Sequence, residues 1–178
     1  MNNADISEAN MVSEPNQGPI AHSLKANDPV GTISEKKKGR PVYLNIVGKQ
    51  WQLDDEPVVT RYSTEGLLYD RDGETVIVYK QSAVNGMKNT FSTLTLRKDQ
   101  VTLVWSGEHH VRMTFANGRR HVSNLTTPQG VISLGIFTTA VDVSKLVHGG
   151  EVHVRYALDG PDAPAINTHL DIDYRFVK

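Results

Sequence analysis

From Tyr43 onward, apolar and polar residues alternate with a period of two, the spacing of strands that bury one face. Ten β-like runs are expected, at approximately 42–53, 57–70, 74–84, 88–97, 100–106, 110–116, 119–127, 130–143, 150–159 and 166–177. They are rich in Val, Ile, Thr, Tyr and Phe and are punctuated by Gly, Asp, Asn and Pro, which break strands. A short helical turn is predicted only around Asp142 to Leu146, ended by Gly149-Gly150. No internal repeat is visible.

Turn residues then set the register. Asp72-Gly73, Asn85-Gly86 and Asn117-Gly118 are two-residue hairpin signals, because Asn, Asp and Gly tolerate the positive φ such turns need. Folding about the first pair places Leu68 opposite Ile77, Gly66 opposite Tyr79 and Thr64 opposite Gln81. The second places Gln81 opposite Thr90, Tyr79 opposite Ser92 and Ile77 opposite Leu94, and a weaker turn at Lys98-Asp99 sets Leu96 against Val101. At Gly107-Glu108 a two-residue turn would throw Val111, Met113 and Phe115 onto the polar face. A three-residue turn, Gly107-Glu108-His109, pairs Trp105 with Val111 and Leu103 with Met113 and keeps the apolar face intact.

One face then continues through five hairpins, from Thr64, Gly66 and Leu68 through Trp105, Val111, Met113 and Phe115 to Val122. This is the expected interior, with His110, Arg112, Thr114, His121 and Ser123 outside. The last two runs send Val152, Val154, Tyr156 and Leu158 inward with Leu170, Ile172, Tyr174 and Phe176. Run 130–143 is apolar on both faces, so part of its outer surface is expected to be covered. A meander of this length usually closes on itself to remove its edges. The fold class is all-β, an antiparallel meander closed into a barrel of about eight to ten strands.

Composition adds a boundary. No aromatic residue precedes Tyr43, and residues 1–41 contain four of the eight prolines without a sustained apolar period. Such a segment buries too little surface to offset its ordering entropy, so we expect a disordered N-terminal tail at 1–41 and a single barrel domain at 42–178. The formal net charge of −1 points to neither nucleic acid nor anionic membrane. With no cysteine there is no disulfide, thiol chemistry or common structural zinc site. Asp5, Glu8 and Glu14 stand where a signal peptide would need positive and apolar residues, and no run suits a membrane helix. The expected location is the cytoplasm.

Candidate chemistry is sparse. His110 and His121 share a face but lie about 13 Å apart along the hairpin, too far to share an ion. His153, His169, Asp171 and Asp173 form the better metal candidate, against the ordinary reading of solvated exterior residues. No Gly-x-Ser-x-Gly elbow occurs, the expected interior of the first seven runs holds no carboxylate, and no glycine-rich phosphate loop precedes a helix. No catalytic residue, metal or cofactor is expected.

The residues from Val58 to Tyr174 resemble the YwiB-like bacterial proteins of unknown function. The resemblance rests on Ser106-Gly107, Phe115, Gly118 and Thr127-Pro128-Gln129-Gly130, joined by Thr64-Glu65-Gly66, Tyr79, Gly150, Tyr156 and Ile172-Asp173-Tyr174. It implies a lipocalin-like, or calycin, barrel and brings no catalytic residues. The chain departs from the family pattern at Trp105, where the family has arginine, at Gln81 (an acid), at Leu125 (tyrosine) and near His169 (asparagine). A buried arginine–carboxylate arrangement is therefore not carried over.

Inside the expected barrel stand Thr64, Tyr79, Gln81, Thr90 and Ser92. They suit either a self-satisfied hydrogen-bond network or the polar side of a small-molecule site. The leading expectation is a non-enzymatic barrel that binds a small, partly apolar ligand through Thr64, Tyr79, Gln81, Ser92, Trp105 and Tyr156. The alternative is a protein- or RNA-interaction module using Arg112, Arg119, Arg120, His110 and His121, with Lys36 to Arg40. That face lacks the interleaved aromatics that stack on single strands, so nucleic acid is not the favoured partner.

Overall fold

The computed structural model describes residues 38–160 and 163–178. The expectation of a disordered tail falls almost wholly on residues outside this range. Ten antiparallel strands follow one another: β1 (Arg40–Gln52), β2 (Val58–Arg71), β3 (Glu74–Lys80), β4 (Thr90–Leu96), β5 (Gln100–Gly107), β6 (Val111–Ala116), β7 (Arg120–Thr127), β8 (Gly130–Leu146), β9 (Gly149–Gly160) and β10 (Ala163–Phe176). Their order in the sheet is β6-β5-β4-β3-β2-β1-β10-β9-β8-β7. The first and last strands pair from Val42↔Phe176 to Gln52↔Ile166, which closes the meander into a nearly complete barrel.

The turn chemistry explains most of the register. Asp72 and Gly73 take φ of 47° and 83°, a turn whose twist suits a two-residue hairpin, and Gly66↔Tyr79 and Leu68↔Ile77 follow. Tyr79↔Ser92, Ile77↔Leu94 and Leu96↔Val101 continue the same inner face. The three-residue turn Gly107-Glu108-His109, with Gly107 at φ 115°, pairs Trp105 with Val111 and Leu103 with Met113. The resulting core holds Val42, Leu44, Ile77, Leu94, Val111 and Phe115 fully buried. Each such side chain contributes roughly 1.5–3 kcal/mol by leaving water.

Four local expectations are corrected. Asn85-Gly86 does not form a two-residue hairpin: a single 3-10 turn, Ala83–Asn85, is capped by Ser82 Oγ on the Val84 amide, and Gly86 ends it. The register is kept because the Gln81 amide still bonds the Thr90 carbonyl at 2.8 Å.

Asn117-Gly118 turns the chain, but β6 and β7 do not form a ladder. They meet in the isolated bridge His110↔Thr126, one residue away from the two-residue register. That slip inverts β7: Val122 is 72% exposed instead of interior, and Leu125 packs against the core.

The helical turn expected at Asp142–Leu146 is strand, paired with β9 from Asp142↔His153 to Leu146↔Gly149. The two-faced apolar pattern of β8 has a related cause. A bulge between Thr138 and Ala140 shifts the inward set from Ile136 and Thr138 to Val141 and Val143. The outer residues Val131 and Phe137 stay exposed, contrary to the expected covering.

The bulge also anchors the seam between β6 and β7. The Gly118 amide donates to the Thr138 carbonyl at 2.9 Å, and the Val141 amide donates to Asn117 Oδ1 at 2.6 Å. Asn117-Gly118 thus docks onto β8 rather than zipping its own hairpin.

Candidate functional site

Strand period decides what reaches the inside at each end of the barrel. Toward the C-terminal half of β1 and the N-terminal half of β10, large core residues give way to smaller and polar ones, and a cavity of about 220 Å³ remains. Ile46, Leu103 and Leu170 form its apolar wall, with Tyr62, Tyr79, Trp105 and Tyr156 as the aromatic part. Met87 comes in from the loop between β3 and β4 and is buried at 8% exposure, while Gln50 at the rim is exposed. The cavity therefore lies at a barrel mouth that Met87 partly covers. No charged side chain lines it.

Two glycines on neighbouring strands show why the space is there. Gly66 is filled: a β-carbon added to it would meet the Val78 carbonyl, Leu44 and the Tyr79 β-carbon within 3.2 Å. Gly48, paired with Thr60 and Leu170 across its two neighbours, would meet nothing within 4 Å. A glycine within a strand often marks such a close approach by something else.

Around the cavity runs a hydrogen-bonded chain. Tyr62 Oη donates to Gln81 Oε1 at 2.7 Å, and Gln81 Nε2 donates to Ser92 Oγ at 2.7 Å. Tyr79 is held by Ser92 and Tyr62. Burial pushes the Tyr79 phenol up to about 12 against the partial offset of those bonds. Tyr156 is likewise pushed up to about 12 by burial, with Thr168 offsetting and Tyr79 adding to the rise. Both phenols are neutral hydrogen-bonding groups at physiological pH. Phe115 packs on Tyr156 with ring centroids 4.7 Å apart and fixes that ring.

Among the described residues, three buried side-chain polar atoms have no hydrogen-bond partner: Trp105 Nε1, Thr138 Oγ1 and Thr168 Oγ1. Thr168 sits beside the Tyr156 hydroxyl closely enough to influence its ionisation, but outside good hydrogen-bond geometry. Trp105 and Thr168 both line the cavity. Native structures satisfy most buried polar atoms, so two exceptions around one cavity, on the opposed strands β5 and β10, are informative.

Of the six residues expected at the site, Tyr79, Trp105 and Tyr156 line the cavity. Gln81 and Ser92 are buried but outside its lining, bonded to the tyrosines that do line it. Thr64 is half-buried, with weak bonds from its hydroxyl to the Lys80 and Glu65 carbonyls at 3.3 and 3.4 Å. Sequence reasoning missed Gly48, Tyr62, Met87 and Thr168. Gly48 carried a signal, a glycine inside an otherwise regular strand. Met87 carried none, since its position depends on the irregular loop.

The exterior histidines do not gather into a metal centre. His153 Nδ1 lies 2.6 Å from Asp171 Oδ1, and Arg155 pairs with the same oxygen at 2.7 Å. Burial would raise the Asp171 carboxyl, but the bonds from His153 and Arg155 outweigh it and hold the carboxyl below its usual value. His169 instead meets the edge of Trp51, at 4.8 Å between centroids. No cluster of three or more potential ligands occurs among the described residues. A larger depression of about 530 Å³ lies on the outside of β1 to β4, beside Leu67, Phe91 and Val177, and neither unpaired cavity-wall atom faces it.

Residues 44–172 match the model of DUF1934, a domain of unknown function. The chain belongs to the DUF1934 family. Its structure is similar to that of the YwiB protein from Bacillus subtilis, with a TM-score of 0.70 at 15% identity over 80% of this chain and 95% of that one. At that identity the likeness shows the fold. A LolA superfamily protein, NE2245 from Nitrosomonas europaea, aligns with a TM-score of 0.31 at 8% identity over 79% of this chain and 87% of that one, too loosely to argue from. No curated protein matches the sequence. No helix among the described residues is long and apolar enough to cross a membrane.

Proposed function

We propose that this DUF1934 chain is a non-enzymatic binding protein of the cytoplasm that takes a small, partly apolar molecule into the mouth of its barrel. The observation that carries the reading is the unfilled space of about 220 Å³ at Gly48, inside an otherwise closely packed core. Tyr79, Trp105 and Tyr156 supply wall area. Gln81 and Ser92 act one step back, holding Tyr62 and Tyr79 in place for the ligand. Lack of cysteine agrees with a reducing compartment.

The interaction-module reading draws less support. Arg120 is engaged by both oxygens of Asp159 at 3.0 and 2.7 Å, Arg40 pairs with Asp70 at 2.8 Å, and the β7 inversion turns His121 away from the outer face that carries Arg112. The test is native mass spectrometry of the protein purified from its own host. The expected result is a retained small molecule; the bare chain mass across several growth conditions would count against binding.

A further inference from the structure

We propose that the cavity at the barrel mouth selects a neutral ligand of roughly nine non-hydrogen atoms that presents a hydrogen-bond acceptor, such as a ketone, ester or lactone carbonyl, to Trp105 Nε1. This rests on reading the mouth as a binding site, and it adds the ligand's size, charge and polarity.

Size follows from the space. A cavity of 150 Å³ in another protein admits benzene, so about 220 Å³ accommodates roughly nine non-hydrogen atoms in proportion. The unfilled notch at Gly48 lets a ligand lie directly against the β1 backbone.

Charge follows from the lining. No Lys, Arg, Asp, Glu or His side chain is among the residues around the cavity. An ion entering there would leave water without a counter-charge, which is strongly disfavoured. The two deeply buried tyrosines remain neutral and do not offset it.

Polarity follows from the two unpaired atoms. Indole Nε1–H is a donor with no acceptor capacity, and here it is buried without a partner. Because Trp105 lines the cavity, a rotation of the indole that turns Nε1 toward that space would present it to a ligand. Thr168 Oγ1, across the cavity on β10, can donate or accept and so adds a second contact for the far side of the ligand. An acceptor reaching Nε1 gains a bond where the empty protein has none, whereas a hydrocarbon of the same size gains only contact area.

Three probes of equal heavy-atom count separate these features: acetophenone (neutral, with an acceptor), benzoate (charged) and cumene (neutral, without an acceptor). Binding is measured by calorimetry on the full chain and by the indole ¹⁵N–H resonances, of which there are two, from Trp51 and Trp105. A Trp51→Phe variant removes one and so assigns the other. Acetophenone is expected to bind about tenfold more tightly than cumene and at least about a hundredfold more tightly than benzoate. It should also move the Trp105 indole signal downfield. In Trp105→Phe, the preference for acetophenone over cumene should fall to about one, whatever the lost wall area costs both probes.

Benzoate binding as tightly as acetophenone would overturn the neutrality. Cumene matching acetophenone in the parent chain, or saturation without an indole shift, would overturn the role of Trp105 while leaving a binding cavity. If none of the three binds yet the host-purified protein retains a molecule, the ligand class is wrong and the binding reading stands. If none binds and nothing is retained, both fail.

Discussion

Replacing Gln81 with leucine separates a network that builds the site from a group that touches the ligand. Gln81 is 6% exposed, accepts from Tyr62 Oη and donates to Ser92 Oγ, both at 2.7 Å. Leucine keeps most of the volume and removes both bonds. At about 1 kcal/mol net for each, the loss is about 2 kcal/mol, because Tyr62 and Ser92 each keep Tyr79 as a partner and are not wholly orphaned. Urea unfolding followed by tryptophan emission gives the number. Ser92→Ala and the double variant complete a cycle with an expected coupling of about 1 kcal/mol. A loss below about 0.5 kcal/mol, or additive single changes, would refute the network account.

Other consequences concern the seam and the buried phenols. Val122→Asp should cost less than about 0.5 kcal/mol because Val122 faces solvent, whereas Leu125→Asp should cost several-fold more; the reverse order in thermal melts would restore the two-residue hairpin register. Tyr79 and Tyr156 have folded-state pKa values raised to about 12 from 10.0, so their stabilising preference is fully present below pH 10 and is lost as pH rises toward 12. At about 1.4 kcal/mol per pH unit, that is about 2–3 kcal/mol for each tyrosine. Their tyrosinate absorbance should therefore develop together with loss of the near-ultraviolet circular dichroism. Complete ionisation of all six tyrosines with that signal intact would contradict their burial.

Much of the barrel was legible because strand alternation and turn chemistry are local. Asp72-Gly73 and the Gly107-Glu108-His109 turn fix their neighbours by backbone geometry, and the inner face follows from parity. The misreadings share a tertiary cause. Asn117-Gly118 looks like a hairpin turn, but its side-chain oxygen and amide are claimed by the β8 bulge, so β7 slips by one residue and Val122 turns outward. Asp142 to Leu146 ends in two glycines as a helix would, yet β9 lies alongside to pair with it.

The site was legible in part for the same reasons. Tyr79, Trp105 and Tyr156 follow from parity along their strands. Met87 and Thr168 do not: one depends on a loop, and the other reads as an ordinary strand threonine. Gly66 is filled by the Tyr79 opposite it, whereas Gly48 faces only Thr60 and Leu170 across its neighbours, pairings that depend on the β1–β2 and β1–β10 registers and not on any local pattern.

The decisive variant is Gly48→Leu, because a β-carbon there meets nothing within 4 Å and the rest of the side chain is directed into the cavity that Gly48 lines. Native mass spectrometry and thermal melting are compared for the parent and this variant, both purified from the native host. A small molecule should be retained by the parent and absent from the variant. The variant's stability should be equal or higher, by up to about 2 kcal/mol, since it fills a void and removes a strand glycine. A variant that folds as well and still retains the molecule would contradict the placement of the site in the barrel mouth.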